Sequence, residues 1–519
     1  MNKNYAIILT VLMAAVFICA VVFFLINDNS RPCGDEARKL LVSLRYYHAF
    51  SSGGINVFRG TQLFSPLYFL MPSFICFILG GFSYKVCAGF NILYYLMTIV
   101  CTYQLAMIIR RNRCTAVLSV FILSFFNFFF LSYSRLSIME FALCSFVCMS
   151  ILFLLKTDYF RNSLYSLLFS LSLAAGILIK YTFVIYIIGP LCIYMVFSLL
   201  GLRKAGISVK IKASKNFFYS FLLGSGVGCL FTIPFLDFHA VTHSYFQTLE
   251  FESSIHSLLG HFLLFGRYLA YALWSPIKSV SYSVQIPLGI IILTALFCFL
   301  RKIGRKYVLI FLAYFFTPLV ILATILRNEE SRYFIPVIPA LSIIIACGLT
   351  LLNKWLRAIF TTSVIFAVIY LFISHGMYLR TTMNAQHPIG KMLLHINKQM
   401  LLENKQGHYL LAVNARHDSL IDVIEYFALL YNVPVDILEL RKYIRNGTIV
   451  RTFDNELLKK IATIKYVVSD YANPADIVLV KNQRIINPLQ KKSQFRYDDA
   501  LMRLPVEYWP YITLYEVKP

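Results

Sequence analysis

Apolar runs of about twenty residues recur along most of this chain, separated by short polar connections. Such runs have the length of a helix crossing a hydrocarbon layer. Eleven of them fall at 5–27, 86–108, 115–131, 139–156, 164–180, 182–201, 217–236, 284–301, 307–326, 333–352 and 358–378. Each is expected to be a transmembrane helix. The first, Tyr5 to Ile26, follows only Lys3 and has no small-residue cleavage pattern behind it, so it is expected to be retained in the protein. A twelfth apolar stretch, 64–81, differs from the rest. It contains Pro66, Pro72 and the Gly80-Gly81 pair, which break a regular span, so a membrane-surface or re-entrant helix is predicted there.

The basic residues fix an orientation for this series. Arg110, Arg111 and Arg113 form one cluster, Arg203, Lys204, Lys210, Lys212 and Lys215 a second, and Arg301, Lys302, Arg305 and Lys306 a third. With 64–81 outside the count of spans, all three clusters fall on the cytoplasmic side, as the positive-inside rule requires. With it inside, the first cluster moves to the opposite face and the others conflict. The formal net charge of +24 is therefore read as topology, and no nucleic-acid partner is expected. Hydrophobic residues make up 59% and charged residues 14% of the chain, a balance without enough charge to coat a soluble protein of this size.

That orientation places 28–85, 132–138, 237–283 and 327–332 on the outer face. The first of these loops carries RPCGDEARKLLVSLRYYHAF at 31–50, whose apolar spacing predicts an amphipathic helix on the membrane. From about Thr381 onward polar residues rise and the pattern changes to short strands at 409–413, 465–469, 476–480 and 511–517. Helical patterns lie between them, near 418–432 and 454–463. Strand and helix alternation predicts a small soluble α/β domain over 381–519, outside the membrane, following a transmembrane catalytic domain over 1–380. No Gly-rich phosphate loop opens any of its helices, so no nucleotide is assigned to it.

The twelve cysteines lie almost entirely within apolar runs, and none follows Cys347. Cys144 and Cys148 share a helix face, where small packing residues are the plainer reading than metal ligands. Cys33 stands alone in the first outer loop, so no disulfide framework is expected. Asp237, His239 and His243 have a spacing that would put two imidazoles on one helix face, as a divalent metal needs. Ordinary interfacial histidines explain the same pattern, and no cofactor is assigned with certainty.

Two groups of charged residues on the outer face have chemical meaning. Asp35 and Glu36 stand side by side after the first span. A carboxylate held there could act as a general base, and it could equally cap the following helix. Arg135, Glu140, Lys180, Arg332 and Tyr333 all fall at the outer ends of spans. Charges at that depth are costly unless they snorkel, pair or bind something. Three cations beside one leaflet are best explained by an anionic headgroup such as a phosphate.

The order of these segments resembles the GT-C superfamily of polyprenyl-phosphate-sugar-dependent glycosyltransferases, in particular the branch of the protein O-mannosyltransferases and the aminoarabinose transferase of lipid A. The resemblance runs over roughly 30–345. It rests on GDEARKL at 34–40, SPLYFLMP at 65–72, LGGFS at 79–83, YSRLSIMEF at 133–141, GILIKYTF at 176–183 and SRYFIPVIPAL at 331–341. It implies a GT-C-like α-helical polytopic fold and inverting transfer of a sugar from a polyprenyl-monophosphate donor to a lipid, glycan or protein acceptor. It also implies Asp35 as base, with Lys180, Arg332 and less directly Arg135 on the donor phosphate, and Glu140 at a position often acidic in the family. The aminoarabinose branch has a lysine before the proline where this chain has Ser65, so that branch's donor and acceptor are not carried over. A bacterial inner membrane with the C-terminal domain in the periplasm follows from the branch, an endoplasmic reticulum membrane being the alternative. A lipid-linked-sugar flippase or other transporter is the rival function. It fits less well, because transporters usually show internal repeats and midplane polar residues.

Overall fold

The structure is a computed structural model. It describes residues 2–27, 34–52, 67–125, 134, 136–203, 205–232, 282–322 and 331–382; beyond these it describes a helix, several strands and residues 392, 393, 396, 398 and 433. Two compact units make up the chain: Met1–Leu25 with Ala49–Met377, and Ile26–His48 with Tyr378–Pro519.

The first unit is helical among its described residues. Its helices are α1 (Lys3–Asn27), α3 (Leu67–Ile78), α4 (Tyr84–Arg110), α5 (Arg113–Phe125), α6 (Glu140–Lys156), α7 (Ser163–Ile179), α8 (Phe183–Leu202), α9 (Ile207–Thr232), α10 (Tyr282–Lys302), α11 (Arg305–Ile321), α12 (Ile338–Thr350) and α13 (Lys354–Thr382), with α2 (Gly34–Ser52) spanning the boundary between units. The described residues of each of the eleven apolar runs lie mainly on one of these helices. Among the described residues, the segments Lys3–Asn27, Tyr84–Arg110, Phe183–Leu202 and Arg332–Thr350 are long and apolar enough to cross a membrane by themselves. The chain is an integral membrane protein. Of the stretch at 64–81, residues 67–78 form α3; with Arg113–Phe125 and Ser163–Ile179 it is one of the shorter apolar helices among the described residues. Met71, Phe74, Phe77 and Ile78 leave one side of it exposed and apolar.

Contacts between helix ends test the charge-based topology. Arg110 donates to the Cys347 carbonyl and to Thr350 at 2.8 Å. Lys302 donates to the Leu351 carbonyl, Asn216 to that of Phe160, and Lys306 lies 4.1 Å from the Tyr159 ring centroid. All of these residues belong to the end that carries the basic clusters. At the other end, Lys180 meets Glu140. No contact named here joins residues that the orientation assigns to opposite faces.

Close backbone approach holds the bundle together, as expected where lipid on the outside removes the hydrophobic advantage of helix pairing. Gly348 of α12 faces α10 so tightly that a Cβ there would overlap the Ala295 backbone carbonyl. Gly348→Ala is expected to cost about 1–3 kcal/mol through overpacking, read as a lower unfolding midpoint in detergent. An unchanged midpoint would contradict the approach. Ser150 and Ser172 add a hydroxyl pair at 2.9 Å between α6 and α7, and Ser220 of α9 donates to the Ser166 carbonyl.

The second unit contains a five-stranded sheet. Its strands are β1 (Tyr409–Asn414), β2 (Val435–Glu439), β3 (Tyr466–Ser469), β4 (Leu489–Arg496) and β5 (Tyr511–Val517), in the order β2-β1-β3-β5-β4. β1 pairs in parallel with β2 and β3, and β5 pairs antiparallel with β3 and β4. Helix α14 (Ser419–Leu430) joins β1 to β2 and buries Val423, Ile424, Tyr426 and Phe427. Parallel neighbours need such a crossover. Within this unit Arg45 of α2 lies 3.6 Å from Glu425 of α14. The middle of α2 is buried on every side, Lys39 and Ser43 along with Leu40, Leu41, Val42 and Leu44, where the sequence pattern predicted one apolar face. The predicted helix near 454–463 lies outside the described residues.

Candidate active site

Three segments that are distant in sequence meet at the outer end of the helical unit. The first is the tight break between α7 and α8. Lys180 ends α7 in an extended conformation, its N–H bonded to the Gly176 carbonyl at 3.0 Å, and the Phe183 N–H returns to the Lys180 carbonyl at 2.9 Å. A Cβ on Gly176 would overlap the Phe183 ring. Glycine at 176 therefore lets the chain reverse within a few residues, and the reversal turns Lys180 into the bundle.

The second segment leads into α6. Asn91 of α4 donates its side-chain amide to the carbonyls of Ser134 and Leu136. One buried amide thus pins the backbone on both sides of position 135. Leu136, Ser137, Ile138 and Met139 are buried behind it, and Glu140 begins α6, where a carboxylate is favoured by the helix dipole. The third is a 3₁₀ turn, Ser331–Val337, which carries Arg332 and Tyr333 and feeds into α12. Pro339 at the start of α12 lacks an N–H that a first helical turn leaves unused, whereas Pro336, inside the 3₁₀ turn, leaves the Tyr333 carbonyl without its i+3 donor. Tyr186 of α8 donates to the Tyr333 carbonyl at 2.8 Å and fixes the turn.

Glu140 is the centre of the cluster. It is 0% exposed; Lys180 Nζ donates to its Oε1 at 2.8 Å, and Arg332 Nε lies 3.6 Å from the same oxygen. Lys180 Nζ also sits 4.4 Å from the Tyr333 ring centroid, with the Arg332 guanidinium 5.6 Å from that ring. The Glu140 carboxylate at 2.8 Å and the face of the Tyr333 ring both favour the charged form of Lys180. Two cations and one carboxylate leave the cluster with one positive charge. An anion arriving here would share Lys180 and Arg332 with Glu140 through charge-assisted hydrogen bonds.

The structure thus brings together Glu140, Lys180, Arg332 and Tyr333 from the residues singled out in the sequence. Asp35 lies in the first turn of α2, and its side chain is outside the described residues. Glu36 beside it is buried. Arg135, Asp237, His239 and His243 lie outside the described residues. Among the described residues no three His, Cys, Asp or Glu side chains gather as metal ligands. Sequence reasoning missed Asn91 and Tyr186, which place the cluster, and took Gly176 only as the start of the GILIKYTF motif. A polar residue inside an apolar run was the signal available for Asn91, since a buried amide must find partners. It also missed Tyr68 of α3, buried with its phenol pKa raised chiefly by that burial and slightly by Glu140.

Comparison with known proteins bears on the fold. The family model described as dolichyl-phosphate-mannose-protein mannosyltransferase matches residues 72–250. A crystal structure of ArnT from Cupriavidus metallidurans in the apo state is similar over 98% of this chain and 97% of its own, at 14% identity and a TM-score of 0.62. The same protein bound to undecaprenyl phosphate is similar over 99% of each chain, at 13% identity and a TM-score of 0.56. The cryo-EM structure of the arabinofuranosyltransferase AftD from Mycobacteria is similar over 100% of this chain and 40% of that one, at 11% identity and a TM-score of 0.52. No curated protein matches by sequence. The chain has an ArnT-like GT-C fold, and the resemblance drawn from the ordered motifs is borne out at that level.

Proposed function

We propose that this chain is a membrane glycosyltransferase that takes a sugar from a polyprenyl-monophosphate carrier and passes it to a lipid, glycan or protein acceptor on the non-cytoplasmic face. The observation that carries the proposal is the buried Lys180–Glu140–Arg332 cluster at the outer helix ends, in a fold shared with a protein whose structure holds undecaprenyl phosphate.

The reaction sets three physical requirements. An acceptor oxygen attacks the anomeric carbon, a base takes the acceptor's proton, and the bond from that carbon to the phosphate oxygen breaks. Lys180 and Arg332 supply positive charge where negative charge grows on the departing phosphate, and Tyr333 holds the Lys180 ammonium against its face. Arg135 is proposed as a further phosphate contact. Asp35, at the start of α2 and beside Glu36, is the proposed base. Attack from the face opposite the phosphate inverts the anomeric centre. A groove between helices takes the polyprenyl chain. The C-terminal α/β domain is proposed to stand on the same side as the site, in the periplasm of a bacterium whose inner membrane holds the helices.

Purified protein incubated with a radiolabelled polyprenyl-monophosphate sugar tests the reading. Transfer of label to water or to an added acceptor, with release of polyprenyl phosphate, is expected. Movement of intact donor across a vesicle bilayer without bond cleavage would make the protein a flippase instead.

A further inference from the structure

Two cysteines outside the cluster sit together on the outer face. Helix α3 and helix α4 form a hairpin through 79–83. Gly80 turns the chain there with φ +73°, and the Gly81 N–H bonds back to the Cys76 carbonyl at 3.1 Å. At the end of this turn the Ser83 carbonyl accepts from the Cys87 N–H at 3.2 Å and from the Cys76 thiol at 3.8 Å. Both cysteines therefore flank a single carbonyl oxygen, and both side chains are buried. The Cys76 thiol also hydrogen-bonds with the Cys87 thiol, which sets the two sulfurs side by side.

Their side of the membrane matters as much as their proximity. Helix α4 has 27 residues, a length of about 40 Å, enough to cross the hydrocarbon core. Arg110 closes its basic, cytoplasmic end, and Cys87 lies in the first turn of the opposite end. Disulfides persist in the compartments that face α4's outer end, the periplasm or a lumen, and not in the cytosol. Cys114, beside Arg113 at the inner end, provides the contrast within the same protein.

We propose that Cys76 and Cys87 are joined by a disulfide in the membrane-inserted protein, an oxidative modification that staples α3 to the outer end of α4. The Cys76 thiolate attacks the disulfide of an exported thiol oxidant and forms a mixed disulfide, releasing one oxidant thiolate. The Cys87 thiolate then attacks the Cys76 sulfur, forming the Cys76–Cys87 bond and releasing the oxidant as a dithiol. Two electrons and two protons pass from the cysteine pair to the oxidant, and no other co-reactant is needed. Because both side chains are buried in the folded hairpin, the exchange takes place before α3 packs against α4. The bond would hold α3, and with it Tyr68, against the charged cluster. It revises the expectation that the outer face carries no disulfide.

The test uses the full wild-type chain in its native membrane, so that no variant has to fold. Thiols are trapped in acid, alkylated under denaturing conditions and located by peptide mass spectrometry. The expected result is a Cys76–Cys87 linked peptide as the main species, with Cys114 recovered as an alkylated thiol. The linked peptide is expected to disappear in cells lacking the exported thiol oxidant and to be replaced by two alkylated thiols after reduction. Recovery of Cys76 and Cys87 as separate alkylated thiols from untreated wild-type membranes overturns the proposal, as does a link from either one to Cys33.

Discussion

Asp35→Asn is expected to lower sugar transfer by about 10²–10⁴-fold, the range a general base contributes, while the protein still inserts and still binds its donor. The substitution is chosen because asparagine keeps the size of aspartate and, in the first turn of α2, forgoes only a helix-dipole interaction of about 0.3–1 kcal/mol. If Asp35 served only to start α2, Asn would leave the helix in place and transfer would continue. A base cannot be replaced in this way, since the amide does not accept the acceptor's proton. The readout is initial rate with a labelled donor, beside detergent-extracted yield and donor affinity measured on the same preparation. Retained activity would return Asp35 to a capping role and leave the base to be found elsewhere on the outer face.

Lys180→Ala is expected to destabilise the helical unit by about 3–5 kcal/mol, because removing one partner of a buried ion pair strands the other charge. Glu140 is fully buried and would lose its 2.8 Å donor, with Arg332 remaining at 3.6 Å. The same change is expected to abolish donor binding. Instability alone could explain such a loss, so a second variant separates the two effects. Lys180→Met combined with Glu140→Gln removes both charges of the pair, which is often close to neutral for stability. We expect that pair of substitutions to restore the unfolding midpoint and not the donor affinity. Donor affinity that returned along with the midpoint would make the Lys180–Glu140 pair a structural device only.

How much of this was legible in the sequence depends on the kind of signal. Long apolar runs are read easily, because span length is set by the bilayer, and the described residues of every predicted run lie mainly on a helix. At 64–81 the prolines, and the side on which Arg110 and its neighbours had to lie, argued for a surface or re-entrant helix; the structure describes its residues 67–78 as the helix α3. In the second unit YLLAV, KYVVS and YITLYEV fall on β1, β3 and β5, where β-branched and aromatic residues suit a pleated surface. The pairing order and the grouping of Ile26–His48 with the C-terminal residues were not readable, since register and tertiary contact leave no local trace. At the site, charge at a span end marked Glu140, Lys180 and Arg332 separately. That Glu140 accepts from Lys180 and lies between the two cations is a fact of packing, set by the α7–α8 reversal at Gly176 and by the Asn91 clamp. The sequence suggested three cations around a phosphate; the structure adds a carboxylate already held by two of them.

The most direct measurement is binding of a polyprenyl monophosphate to purified protein in detergent, comparing wild type with Lys180→Ala/Arg332→Ala. The account predicts saturable binding to wild type and a loss of at least about tenfold in the double variant, since one charge-assisted phosphate contact is worth about 1.5–3 kcal/mol. Equal binding by the two proteins would contradict it, because the outer helix ends would then not be where the donor phosphate sits.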